Sequence, residues 1–273
     1  MTGSTATLNI ALVGVGLVGS ELLRQLDGLS RNGAGCPFRL VAVASSSSLV
    51  TGFSLPFAGP FALKKDDPGR VPLNFDALVG HLAALDGPSI IVDCTASDRV
   101  PELYPGWLRA GVSVVAANKK GFAGPARLFR NIYDASSQGG GGGKRACVYH
   151  ESSVGAGLPV ISTVRDLIKT GDIIKKIEGV FSGTLSYLFN VFSPAFPSPG
   201  AAPPKFSQVV RAAKEMGFTE PDPRDDLNGM DVARKVTILA RLAGLSDAET
   251  SSLDVASLVP KPLENAGTAE EFM

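Results

Sequence analysis

Along the first half of the chain, uninterrupted apolar runs alternate with segments whose apolar residues recur at three- and four-residue spacing. LNIALVGV reads as a buried strand, and SELLRQLDGL after it as a helix with Leu22, Leu23 and Leu26 on one side. RLVAVAS is a second strand, FDALVGHLAAL a helix, SIIVDCTAS another strand, YPGWLRAGV a helix and SVVAANKK a further strand. Strands that alternate with helices predict parallel βαβ units joined by right-handed crossovers.

From about Tyr149 the pattern changes. GLPVISTVRDLIKTGD is a helix candidate, IIKKIEGVFSG a strand ending at a glycine, SQVVRAAKEMGF a short amphipathic helix and MDVARKVTILARLAGL a longer one. A boundary near residue 150 follows, with a first domain over 1–149 and a second, α+β domain over 150–273. Two segments read as surface insertions: QGGGGGK (138–144), which cannot pack a core, and the proline-rich FSPAFPSPGAAPPKF (192–206).

Composition narrows the function classes. Among 273 residues, 26 basic and 26 acidic side chains cancel, which leaves no electrostatic footprint for nucleic acid or an acidic membrane surface. At 44% hydrophobic residues the chain can bury a substantial core. Cys36, Cys94 and Cys147 have neither metal-site nor disulfide spacing, which fits a reducing compartment. The N-terminus lacks the basic region of a signal peptide and no stretch is apolar enough to span a bilayer, so a cytoplasmic protein with a small-molecule partner is expected.

Gly14-Val15-Gly16-Leu17-Val18-Gly19 follows the first strand and opens the first helix. This spacing suits a tight turn, close backbone approach to a pyrophosphate and a helix N-terminus facing its charge. It predicts a dinucleotide-binding, Rossmann-type doubly wound parallel sheet; a tight βα turn without ligand is the plainer alternative. No Asp or Glu lies between Asp27 and Asp66, and the second strand ends in Ser45-Ser46-Ser47-Ser48. A carboxylate there would bind a ribose diol and repel a 2′-phosphate; without one, NADP is permitted and NAD is not excluded. Thr95 and Ser97, in CTAS, and Lys119, in NKK, fall at carboxyl ends of later strands, the edge where open α/β sheets bind ligands.

The densest chemistry lies in TEPDPRDDLNGMDVARK, residues 219–235. Pro221 and Pro223 hold Glu220 and Asp222 on an extended segment, and Asp226 or Asn228 can cap the next helix. Asp231 and Lys235 are four apart and share a helical face. A capped helix with a surface ion pair explains those two but not the density of charge. A zwitterionic substrate explains it better: an ammonium needs carboxylates, a carboxylate needs a cation or backbone donors, and a reacting hydroxyl needs an acid or base, a role open to lysine. Other constellations fail. His150-Glu151 lacks the second histidine of a zinc hydrolase motif; His81 reads as half-buried structure, and Cys94 as a packed strand-end cysteine.

GVGLVGS, NKKGF, YHESSVGAGLPVI, IEGVFSGTLSYLFN and GFTEPDPRDDLNGMDVARKV together resemble homoserine dehydrogenase of the fungal type, over about residues 8–265. The resemblance implies NAD(P)-linked interconversion of L-homoserine and L-aspartate 4-semialdehyde, toward threonine, methionine and isoleucine. It assigns Lys119 and Lys235 to the reacting oxygen, with Lys235 for proton transfer, and Glu220, Asp226, Asp231, Gly183 and Thr184 to the substrate. The glycine turn, Ser45, Thr95, Ser97 and Lys119 would serve the cofactor. A sodium ion would rest on backbone carbonyls of Glu151, Val154, Ala156 and Leu158, and the second domain would form a homodimer. The family continues past KPLENAGTAEEF, which motivates a rival reading as an inactive dinucleotide-binding or dimerising remnant. A further rival places Cys94 in aldehyde oxidation with phosphate.

Overall fold

The computed structural model describes residues 7–31, 36–53, 55–57, 69–138, 145–196, 204–220 and 222–273. The glycine run 139–143, residues 197–203 of the proline-rich segment and Pro221 lie outside them. The chain divides into two compact units, Met1–Val160 and Ile161–Met273.

The first unit is built on a seven-stranded sheet in the order β4-β3-β2-β1-β5-β6-β7. Its strands are β1 (Leu8–Val13), β2 (Phe38–Ala44), β3 (Ser48–Thr51), β4 (Arg70–Pro72), β5 (Ser89–Asp93), β6 (Val112–Ala116) and β7 (Val148–Tyr149). β1 pairs in parallel with β2 on one side and β5 on the other, and β5–β6 and β6–β7 are parallel as well. β1 is buried along Asn9–Val13, as an apolar strand covered on both faces must be. Helix α1 (Leu17–Arg31) packs Leu23 and Leu26 onto Ile10, Leu12, Leu40, Val43 and Val92, with Leu22 half-buried beside them. Helices α2 (Phe75–Ala84), α3 (Tyr104–Arg109), α4 (Lys120–Ala123) and α5 (Ala126–Gln138) complete the unit. His81 is exposed on α2, not half-buried, because Leu78, Val79 and Leu82 occupy its inner face.

The chain leaves β1 toward β2 and later returns to the other side of β1 as β5. At this reversal the two strand ends part, and a doubly wound sheet binds its ligand there. The antiparallel strands β3 and β4 have no counterpart in the expected pattern. The serine run is the turn of a hairpin rather than an open loop: Ser45 N donates to Ser48 O at 2.8 Å, and the two hydroxyls lie 2.8 Å apart.

The second unit contains most of α6 (Val160–Lys169), together with α7 (Gly183–Phe192), α8 (Phe206–Glu215), α9 (Arg224–Leu227), α10 (Met230–Leu242) and α11 (Ala269–Phe272). Leu188, Val209, Val210, Ala213, Leu227 and Val259 form its core. The strand expected in IIKKIEGVFSG does not form: residues 173–182 take neither helix nor strand. β-branched residues favour a pleated backbone only when a neighbouring strand accepts its ladder, and no strand occurs in this unit among the described residues.

Candidate active site

The glycine turn shows why each glycine is there. Gly14 has φ +93°, and a Cβ on it would stand 2.9 Å from Thr95 Cγ2 and 3.0 Å from the Cys94 backbone. A Cβ on Gly19 would stand 2.0 Å from Gly14 O, so α1 can begin against the turn only without one. Gly16 is exposed and a Cβ on it meets nothing within 4 Å. No contact among the described residues requires this glycine, whereas close approach of a pyrophosphate would. Leu17 and Val18 stay 81% and 57% exposed at the helix start, and Val15 is half-buried.

Thr95 and Ser97 lie in the loop after β5, and Lys119 in the loop after β6. Asp93, fully buried at the end of β5, accepts hydrogen bonds from Thr95 N (2.7 Å), Asn118 Nδ2 (3.1 Å) and the hydroxyl of Tyr104. Burial, and then the Asp93 charge, push the Tyr104 phenol far above its ordinary range. Cys94 is driven up to about 11, first by burial and then by Asp93, so it remains a thiol at neutral pH. Ser45 is half-buried and bound to Ser48, with Ser46 and Ser47 exposed at the hairpin tip. Asp93 is not among the expected site residues, although a polar residue closing an apolar strand is a signal for it, and Asn118 is expected only as part of NKK at a strand's carboxyl end.

In the second unit the charged stretch sorts itself into two groups. Lys235 Nζ lies 2.7 Å from Asp231 Oδ2 and donates to the Phe181 carbonyl at 2.7 Å. The side chains of this pair are 14% and 15% exposed, so the two charges are partly shielded from solvent. Asp226 is buried in α9 and accepts from the amide of the exposed Glu220 at 2.8 Å. Burial raises the Asp226 pKa, and the nearby charges of Glu220 and Asp231 push the same way; bonds from the Glu220 amide and the Thr184 hydroxyl oppose them. Thr184 also reaches the Phe218 carbonyl at 2.6 Å, and its single proton can serve only one acceptor at a time. Gly183 opens α7, where Ser182 Oγ accepts from Leu185 N. Glu220, Asp226, Asp231, Lys235, Thr184 and Gly183 thus belong to one neighbourhood of this unit.

The second group ties the fold together. Arg224 grips Asp222 through Nε and Nη2, donates to the Ala266 carbonyl and lies 5.8 Å from the centroid of the Phe272 ring. The Arg224 guanidinium holds the Asp222 carboxyl below its usual range. Asp225 is exposed. Asn228 supplies the oxygen at the start of α10, accepting from Met230 N, whereas Asp226 is turned to Glu220. Gly229 precedes the helix at φ +77°, and a Cβ on it would stand 2.7 Å from Val255 Cγ1.

His150 is buried between Tyr133 Oη (2.7 Å from Nε2) and Ser153 Oγ (2.9 Å from Nδ1), stacked on Phe122. After it, Glu151–Ser153 form a 3₁₀ turn, and Gly155 and Ala156 take φ of 83° and 52°. Among the described residues no group of three or more His, Cys, Asp or Glu could hold a metal ion. A cation at this loop would therefore rely on carbonyls. The Glu151 carbonyl accepts from Val154 N and the Leu158 carbonyl from Val160 N. A hard-oxygen set of this kind fits a group 1 or 2 cation. Among the described residues no helix is long and apolar enough to cross a membrane.

Comparison with known proteins bears on both units. A family profile described as the homoserine dehydrogenase NAD-binding domain matches residues 14–142, and one described as homoserine dehydrogenase matches 159–272. A homoserine dehydrogenase of Schizosaccharomyces pombe is 44% identical over the whole chain, which spans 72% of that protein. A Candida auris protein described as of unknown function, solved by crystallography, is 41% identical with a TM-score of 0.77 over 98% of this chain and 72% of its own. The crystal structure of a Thermoplasma acidophilum homoserine dehydrogenase superposes with a TM-score of 0.62 at 25% identity, over 90% of this chain and 72% of its own.

Proposed function

The chain belongs to the homoserine dehydrogenase family, and on that footing we propose how its residues divide the chemistry. The activity is that of an NAD(P)-dependent oxidoreductase interconverting L-homoserine and L-aspartate 4-semialdehyde. In the oxidative direction a hydride passes from the hydroxyl-bearing carbon to the nicotinamide, and the hydroxyl proton must leave as the carbonyl forms.

Lys235 carries that proton. As an ammonium it can donate to the aldehyde oxygen during reduction, and as the neutral amine it takes the hydroxyl proton during oxidation. Lys119 stabilises the same oxygen. Glu220, Asp226 and Asp231 take the substrate ammonium, and the N-terminal end of α7 at Gly183 and Thr184 faces its carboxylate. The observation that carries this reading is the partly buried Lys235 ammonium, held by Asp231 and the Phe181 carbonyl within a cluster of three carboxylates.

The turn Gly14–Gly19, with Ser45, Thr95, Ser97 and Lys119, holds the dinucleotide; the first unit is the cofactor domain and the second the substrate and dimerisation domain. Without an acid after β2, NADP is accepted alongside NAD. Carbonyls of Glu151, Val154, Ala156 and Leu158 would hold a sodium ion, and we propose a cytoplasmic homodimer supplying threonine, methionine and isoleucine synthesis. The test is homoserine-dependent reduction of NAD and NADP in parallel, in wild type and Lys235→Ala. Turnover lost with cofactor binding retained supports the assignment, and equal turnover in the two proteins removes it.

A further inference from the structure

Asn118 is 3% exposed at the end of β6 and meets four groups. Its Nδ2 lies 3.1 Å from Asp93 Oδ2, 2.9 Å from Ser97 O and 3.3 Å from Thr95 Oγ1, and its Oδ1 accepts from Lys120 N at 3.0 Å. Asp93 in turn accepts from Thr95 N and from Tyr104, which packs against Phe122 of α4. The loop spanned by these bonds is braced from within, since Thr95 Oγ1 accepts from Ser97 N, and Ser97 Oγ from Arg99 N and Val100 N. Gly14 packs against the same loop at Cys94 and Thr95. The end of β6 is thus tied through Asn118 to the end of β5 and the loop after it, against which Gly14 at the end of β1 packs. The next residue is Lys119, whose carbonyl caps α4 by accepting from Phe122 N and Ala123 N.

We infer that Asn118, backed by Asp93, is a positioning residue: it fixes the spacing between the cofactor loop at Thr95–Ser97 and Lys119. This rests on the function proposed above. The geometry suits the role because an amide offers both requirements of the joint, two N–H donors for the loop and one acceptor for the Lys120 amide. Aspartate in its place would bring a second carboxylate against Asp93 and the Ser97 carbonyl, and alanine would leave both acceptors short of a donor. An edge that shifts by a fraction of an ångström leaves fold and cofactor uptake nearly intact but misplaces the lysine for chemistry.

The test compares Asn118→Ala, Asn118→Asp and the double exchange Asp93→Asn/Asn118→Asp. It reads steady-state homoserine oxidation, NADPH affinity by fluorescence and thermal melting. Asn118→Ala should lower kcat by about ten- to a hundredfold while NADPH Kd moves by less than about threefold. Asn118→Asp should fall further. The exchange restores an amide–carboxylate pair and should recover at least about fivefold over Asn118→Asp, since the repulsion between like charges is gone. A kcat unchanged in Asn118→Ala overturns the inference. So does a loss of turnover matched by equal losses of NADPH affinity and melting temperature with no recovery in the exchange, since that describes a packing role. Absence of turnover in the unaltered chain defeats the functional reading instead, and with it this inference.

Discussion

Lys235 and Asp231 stand one helical turn apart on α10, 2.7 Å between Nζ and Oδ2, while the same ammonium reaches back to the carbonyl of Phe181. An exposed pair at this spacing contributes only about 0.3–0.5 kcal/mol to a helix. Its value here is directional: two anchors from different segments fix the lysine stem and leave one N–H of the ammonium for a substrate oxygen.

Removing one anchor should therefore cost chemistry before stability. For Asp231→Ala we expect homoserine turnover to drop by about ten- to a hundredfold with a raised KM for homoserine, and a melting temperature changed by only a few degrees. Steady-state kinetics alongside a thermal melt decide it. Unchanged kcat and KM would show that Phe181 alone orients the lysine.

Asp226 gives a pH signature. Its pKa is raised in the folded protein, so folding favours the protonated form. The associated stability is fully present below the ordinary aspartate value and is lost as pH rises through the raised one. Asp226→Asn keeps an acceptor for the Glu220 amide without the buried charge. Melting curves across acidic to neutral pH should be flatter for this variant, and its affinity for homoserine should be lower. A variant whose melting profile parallels that of wild type contradicts the assignment.

Gly14 and Gly16 of the glycine motif make opposite demands. Gly14→Ala forces a Cβ into a left-handed residue against the Cys94 backbone, for a loss of about 1–2 kcal/mol or more and of cofactor binding. Gly16→Ala meets nothing within 4 Å, so stability should hold while NADPH affinity falls. Melting temperature and NADPH titration on the same samples separate the two. Equal destabilisation by both substitutions would mean that the turn is shaped by packing alone.

Cys94 should be chemically quiet. With its thiol pushed up to about 11, little thiolate exists at neutral pH, and iodoacetamide should label it slowly in the folded chain. Cys94→Ser should retain turnover within about threefold, as a substitution away from the reacting groups does. Abolished turnover with the fold intact would revive the thiol-dependent aldehyde reading.

The parts of this fold that were legible in the sequence are those whose signal is local. β1, the glycine turn and α1 are consecutive, and Gly14 and Gly19 answer to backbone constraints that the motif encodes. The amphipathic helices α8 and α10 announce themselves by period. β3 and β4 do not, since runs of four and three residues carry almost no period and Ser48 finds its partner at Pro72. IIKKIEGVFSG shows the converse, strand-like composition with no neighbour to pair with. In the site, the charged side chains could be listed from their types. The carbonyls of Phe181 and Phe218 could not, because every residue has one. Asn118 meets Asp93 across 25 residues of chain, a contact made by two strand ends that only the sheet brings together.

Gly229 sets the heading of α10 from a left-handed residue pressed against Val255, two residues before Asp231 and six before Lys235. A side chain at this position strains a left-handed backbone and meets the Val255 methyl, so either that methyl gives way or the helix start swings, and the lysine tip then sweeps farther than the pivot. Sequence drift is thus closed at a site that never touches a reactant. A screen scored only by dinucleotide uptake would pass such variants as sound, while one that scores growth without supplied homoserine would reject them.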